Sequence, residues 1–173
     1  MKVFKDFPTE RPVTSFLDDI ESPEDLKKLT IDELEVLADE LREYLLYSVR
    51  QTGGHFGAGL GAIEITIALH YLLDMPSDKI VWDTGHQAYP HKILTGRRDK
   101  MHLMRKIDGL AAFPSIKESE LDAMSVGHSS TSISAALGMD EASKHQKNNK
   151  NIFSVIGDGT MTAGIAFEAM MHA

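Results

Sequence analysis

Three short segments carry groups able to bind phosphate, hold a hard cation or move a proton, each where an expected strand gives way to a loop. In the first, the run Asn151-Ile152-Phe153-Ser154-Val155-Ile156 enters Gly157-Asp158-Gly159-Thr160, and a helix is expected directly afterwards. Glycines let a backbone approach a ligand closely, and a helix start offers free N–H groups and a positive dipole to a phosphate. Asp158, at the carboxyl end of that strand, is placed to hold a hard cation such as Mg²⁺, which in turn bridges phosphates. The second segment runs from Trp82 to Lys92 and the third from Ser125 to Ser132. They place Gly85-His86 and Gly127-His128 just past expected strand ends. Ligands of parallel α/β sheets sit in the crevice beyond those ends, where an imidazole donates to phosphate or shuttles protons near neutral pH. His55, after Gly53-Gly54, is a fourth candidate.

Each signal taken alone has a plainer explanation. Gly157-Asp158-Gly159 is a common tight turn with Asp158 as helix N-cap. His86 and His128 read singly as loop histidines bonded to backbone, and His55 as a helix-capping histidine. Two Gly-His pairs at equivalent positions, with Gly-Asp-Gly at a third, favour one shared site. Gly57, Gly59 and Gly61 do not complete a dinucleotide fingerprint, because a helix and not a strand precedes them. Arg97, Arg98, Lys100, Arg105 and Lys106 read as a solvated basic face, and the methionines as core filler.

The elements that must position these residues follow from caps and periodicity. Ser22-Pro23-Glu24 opens a helix, and Thr30 with Glu33 forms a capping box for a second. Leu34, Leu37, Leu41, Leu45 and Val49 hold a 3.6-residue period to about Arg50, and Gln51 to Gly54 end it. Leu60 to Leu72 is expected as a helix, apolar nearly all round and therefore buried. Strands are expected at 79–83, 123–126 and 151–156, and helices at 130–145 and 162–173. This order points to an α/β layer, a parallel sheet flanked by helices. Residues 1–22, with Pro8 and Pro12, read as an N-terminal arm ahead of a single domain over 23–173. Three strands are fewer than usual and the last helix lacks a Gly or Asn cap, so the domain is expected to be incomplete.

Composition narrows the function classes. The chain has 173 residues, 42% hydrophobic and 25% charged, which is ordinary for a globular domain. A formal net charge of −8 argues against nucleic acid or an anionic membrane as partner. There is no cysteine, which excludes disulfides, thiolate catalysis and cysteine-type zinc sites. Met1-Lys2-Val3-Phe4-Lys5-Asp6 is not a secretory leader, and Ile63 to Leu73 is too short and polar to span a bilayer, so a cytoplasmic protein is expected.

The segments together resemble the 1-deoxy-D-xylulose-5-phosphate synthase family. The resemblance rests on Thr52-Gly53-Gly54-His55, on the run from Gly85 through His86-Gln87-Ala88-Tyr89-Pro90-His91-Lys92 to Lys100, on Ser125 to Ser134, and on Gly157-Asp158-Gly159. It implies a thiamine-diphosphate enzyme of the transketolase-like group, a transferase of two-carbon units. Such an enzyme condenses pyruvate with D-glyceraldehyde 3-phosphate, loses CO₂ through a thiamine-diphosphate enamine, and opens the non-mevalonate route to isoprenoids. Carried over by position, Asp158 matches the Mg²⁺ ligand. Gly159 and Thr160 match the backbone around the diphosphate, and His86, Gly127, His128 and Ser129 match cofactor contacts. His55 matches a catalytic histidine near the reacting carbon.

The resemblance also implies a cytoplasmic homodimer formed through a longer protein, with the pyrimidine-binding and C-terminal domains outside this chain. Ala58 stands where many relatives carry Ser, and Ala111, Ala112, Ser115, Ile116 and Lys117 depart from the usual loop. On this reading the chain alone neither turns over pyruvate nor binds thiamine diphosphate tightly. The alternative is a catalytically inert fragment or interaction remnant of the enzyme.

Overall fold

Helix starts are the local signals this chain obeys most closely. In the computed structural model, which describes residues 6–173, Thr30 caps α2 (Ile31–Thr52). Its Oγ1 accepts the Glu33 N–H at 3.4 Å, and its own N–H donates to Glu33 Oε2 at 2.7 Å. Ser22 and Asp25 form the same reciprocal box at α1 (Pro23–Leu26), with Pro23 in the first turn. Each box satisfies N–H groups that a helix start otherwise leaves open. Gly53, at φ +69°, stops α2 in a conformation that favours glycine.

The chain divides into two compact units. The first runs to Leu72 and takes in His86–Ala112; the second comprises Leu73–Gly85 and Phe113–Ala173.

In the first unit the stripe Leu37, Leu41, Leu45 and Val49 of α2 is buried against Ile63, Ile67, Tyr89, Ile93, Leu94 and Met101. Burying one such side chain is worth about 1.5–3 kcal/mol, so this seam dominates the unit's stability. The stretch before Pro23 joins it: Leu17–Asp19 is a 3₁₀ turn, and Leu17 and Ile20 are buried in the same core. The buried Arg98 donates to the carbonyls of Leu17 and Ile20 and pairs with Glu21. Met1 to Lys5, and so the start of the expected arm, lie outside the described residues.

The helix expected at 60–72 is two pieces, α3 (Gly57–Gly61) and α4 (Ile63–Leu72). It is also not buried all round, since Ile65 is 49% and Leu72 73% exposed. A helix packed on one side keeps only that side dry. Here Glu64 of α4 pairs with Arg42 of α2, and Thr66, Ile67 and His70 turn inward. The next helical piece, α5 (Tyr89–Lys92), leads into irregular turns as far as Leu103.

In the second unit β1 (Lys79–Trp82) pairs in parallel with β2 (Ile152–Val155), Lys79 opposite Ile152 and Trp82 opposite Val155. Asp78 ties the strand entrances together. Its Oδ1 accepts the Asn151 N–H at 2.8 Å and its Oδ2 the Asp74 N–H at 2.9 Å. The crossover carries α6 (Ser132–Gln146), and α7 (Gly164–His172) follows β2. The architecture is therefore α/β, with helices flanking a small parallel sheet.

The strand expected at 123–126 does not form. The Val126 N–H donates to the Pro114 carbonyl at 3.2 Å, which commits that backbone to a loop contact. No helix of the described residues is long and apolar enough to cross a membrane.

Candidate functional site

The second unit brings two glycine-bearing turns together beyond its strand ends. Asp158 is exposed and opens a 3₁₀ turn, Gly159–Thr162, with its Oδ1 accepting the Gly159 N–H at 2.8 Å. The N-cap role expected on plain grounds is thus present, on a 3₁₀ turn. The α-helix begins later than expected, at Gly164, after an extended Ala163. Thr160 Oγ1 donates to the Gly157 carbonyl at 2.7 Å. A Cβ at Gly159 would meet nothing within 4 Å, so this backbone is open to a ligand's approach.

Gly127, His128 and Ser129 are likewise exposed, whereas Ser130 is 1% exposed and held at φ +70°. The Ser130 N–H donates to Asp83 Oδ1 at 2.7 Å, and the Ser132 N–H to Asp83 Oδ2 at 3.1 Å. The Ser130 hydroxyl donates to the Thr160 carbonyl at 2.5 Å, linking the two turns directly. Burial pushes the Asp83 carboxyl up, but the donors at Ser130 and Ser132 outweigh it and hold the group below its ordinary range.

Gly85 sits at φ +98°, and a Cβ there would lie 2.6 Å from Pro114 Cδ and 2.7 Å from Val126 Cγ2. Only glycine fits between this strand end and the following His86.

The first unit holds the other two candidate histidines. The rings of His55, exposed, and His86, half-buried, lie 5.5 Å apart between centroids at 56°. The loop carrying His55 rests on Tyr89, since a Cβ at Gly54 would come within 2.6 Å of the Tyr89 hydroxyl oxygen.

A second imidazole pair is fully buried, His70 Nε2 to His91 Nδ1 at 2.8 Å. His70 Nδ1 donates to the Thr66 carbonyl at 2.7 Å, because a carbonyl only accepts. Burial, with lesser help from His91, brings the His70 pKa down to about 3, so its Nε2 accepts from His91.

The basic cluster is not one solvated face. Arg97 and Arg98 are buried and hydrogen-bonded, Arg97 to Thr95 Oγ1 at 2.7 Å, while Lys100, Arg105 and Lys106 stay exposed. Lys92 is also buried and donates to the Ala111 carbonyl at 2.8 Å. Of the expected core methionines, Met101 and Met104 are buried, but Met171 is 88% exposed.

The residues of the second unit fit a metal–diphosphate group in kind. One exposed hard carboxylate suits Mg²⁺, and open glycine backbone suits an anion. Among the described residues no cluster of three or more His, Cys, Asp or Glu is able to hold a metal. Sequence reading missed Asp83 and Ser130. The available signal was an aspartate directly after Lys79-Ile80-Val81-Trp82, the counterpart of Asp158 after the other strand.

A parallel strand pair with a Gly-Asp-Gly turn and a polar Gly-His loop at its carboxyl ends defines an α/β ligand-binding domain. Residues 17–173 match the family described as 1-deoxy-D-xylulose-5-phosphate synthase, in its N-terminal domain, and the chain belongs to that family. The 1-deoxy-D-xylulose-5-phosphate synthase of Pseudomonas syringae pv. tomato is 64% identical over 170 residues, covering 98% of this chain and 27% of that protein. Those of Ectopseudomonas mendocina and Pseudomonas putida are 62% identical over the same spans. The chain thus spans about a quarter of the length of the curated relatives it matches.

Proposed function

We propose that this chain is the N-terminal part of a 1-deoxy-D-xylulose-5-phosphate synthase, a transferase that condenses pyruvate with D-glyceraldehyde 3-phosphate and releases CO₂. The observation that supports it most is the joined pair of turns, with Asp158 exposed beside Gly159 and the Gly127–Ser129 loop tied to Thr160 through Ser130. Residues 23–173 then belong to the diphosphate-binding domain, with 1–22 as its arm. The working protein is a cytoplasmic homodimer of the longer polypeptide.

Bound thiamine diphosphate supplies the nucleophilic carbon and the electron sink that the decarboxylation requires. The protein's own residues then have separable tasks. Asp158 would hold Mg²⁺ through its carboxylate, and the backbone at Gly159 and Thr160 would bind the diphosphate. His86, Gly127, His128 and Ser129 orient the cofactor. His55 would donate or take a proton at an imidazole nitrogen near the reacting carbon, with the His86 ring 5.5 Å away between centroids. Ala58, in the first turn of α3, adds no hydroxyl there.

The test is a product assay on the longer polypeptide that contains this chain, given both substrates, thiamine diphosphate and Mg²⁺. Formation of 1-deoxy-D-xylulose 5-phosphate, abolished by Asp158→Ala, is expected. A folded protein that forms none contradicts the reading.

A further inference from the structure

The Gly127–Ser129 loop and the Gly157–Thr160 turn are joined through one buried residue. Ser130 lies immediately after Gly127-His128-Ser129, is 1% exposed, and adopts φ +70°, a conformation costly for a residue with a side chain. It is held from two sides. Its N–H donates to Asp83 Oδ1 at 2.7 Å, at the end of β1, and its hydroxyl donates to the Thr160 carbonyl at 2.5 Å, in the turn after β2. Asp83, also 1% exposed, takes a second backbone donor from Ser132 at 3.1 Å, which fixes the start of α6 to the same carboxylate.

Were the left-handed conformation the whole requirement, glycine would meet it with less strain. A serine there adds one thing, the hydroxyl on Thr160.

We propose that Asp83 and Ser130 form a latch that sets the spacing between the Gly127–Ser129 loop and the Gly157–Thr160 turn, making Ser130 a positioning residue for the diphosphate and cation these turns take. The ligand part rests on the function proposed above; the latch itself rests on the hydrogen bonds.

The decisive measurement is backbone hydrogen exchange on this chain, comparing the unaltered protein with Ser130→Ala and Ser130→Gly. A hydrogen bond in partly buried surroundings is worth roughly a 10-fold shift in a local equilibrium. Exchange across 157–162 is therefore expected to quicken roughly 10-fold in both variants. Ser130→Gly keeps the favourable backbone, so a change there is owed to the hydroxyl and not to strain or misfolding.

In the longer polypeptide, the same two variants are expected to need roughly 10-fold more thiamine diphosphate, titrated by intrinsic fluorescence with Mg²⁺ and no substrate. The loss should fall on the cofactor concentration giving half-maximal rate more than on the rate at saturation. Unchanged exchange at 157–162 in both variants overturns the latch. Quickened exchange with unchanged cofactor affinity overturns its positioning role. An unaltered longer polypeptide that binds no thiamine diphosphate overturns the functional reading instead, and leaves the exchange result to judge the latch alone.

Discussion

At the scale of single residues, one buried imidazole ties the stability of the fold to pH. His70 is neutral in the folded chain, its pKa brought to about 3 by burial and by His91, with Arg97 adding in the same direction. The unfolded chain takes up that proton near pH 6.5, so on acidification the unfolded state binds more protons and gains ground. Stability is therefore full above pH 6.5 and falls as the pH drops towards 3, by up to about 1.4 kcal/mol per pH unit. Asp25, held at about 2 chiefly by its hydrogen bond with Lys28, acts with the same sign, but only below the ordinary carboxylate range near pH 4. Urea midpoints between pH 6.5 and 4.5 thus isolate the histidines. His70→Gln should flatten that slope, and an unchanged slope would show that His70 is not the group responsible.

Asp158 is exposed, and on the proposed function its carboxylate holds the cation. Asp158→Asn keeps the shape and the acceptor for the Gly159 N–H but loses the charge, so Mg²⁺-dependent cofactor binding in the longer polypeptide should weaken by on the order of 100-fold, read by titration. The sequence pointed to Asp158 because aspartate between two glycines after an apolar run is a local pattern. Asp83 occupies the matching place after its own strand, but that place does not show what the carboxylate binds: Ser130 bonds to residues 47 and 30 positions away, which no local pattern records.

At the scale of elements, the same division holds. Caps and periodic stripes are local, so α2 was legible from Thr30 and Glu33 at its start to Gly53 at its end. Leu41 is fully buried in the seam, and Leu41→Ala should cost about 2–5 kcal/mol in urea unfolding of the chain. The segment 123–126 was misread as a strand because β-propensity does not say what backbone a strand will pair with. Its Val126 is spent against Pro114, and its side chain closes over Gly85. That packing makes Gly85 a sharp test of the loop. Gly85→Ala must both leave a left-handed conformation and displace Pro114 or Val126, so a loss of more than about 1 kcal/mol is expected in the same assay. A neutral result would mean the loop packs differently. The burial of Arg97 and Arg98 was hidden for a related reason, since a run of charges looks solvated until the carbonyls it serves are known.

At the scale of the whole molecule, the chain holds two compact units and about a quarter of the length of its curated relatives. The parallel sheet has two strands, and β2 is incompletely covered, with Phe153 43% exposed. Mg²⁺ prefers six oxygen ligands, and among the described residues no three His, Cys, Asp or Glu gather to hold a metal, so the 173-residue chain alone is expected to show no pyruvate turnover and no tight thiamine-diphosphate binding by calorimetry.

The central claim is that these 173 residues supply a working N-terminal part of the synthase. It is tested most directly by a chimera in which this chain replaces the matched residues of the Pseudomonas syringae pv. tomato synthase, assayed for 1-deoxy-D-xylulose 5-phosphate. With 64% identity over 170 residues, the account predicts a folded chimera with activity within about 10-fold of the parent and loss of that activity with Asp158→Asn. A chimera that melts cooperatively like the parent yet forms no product, or that keeps full activity with Asp158→Asn, would contradict it.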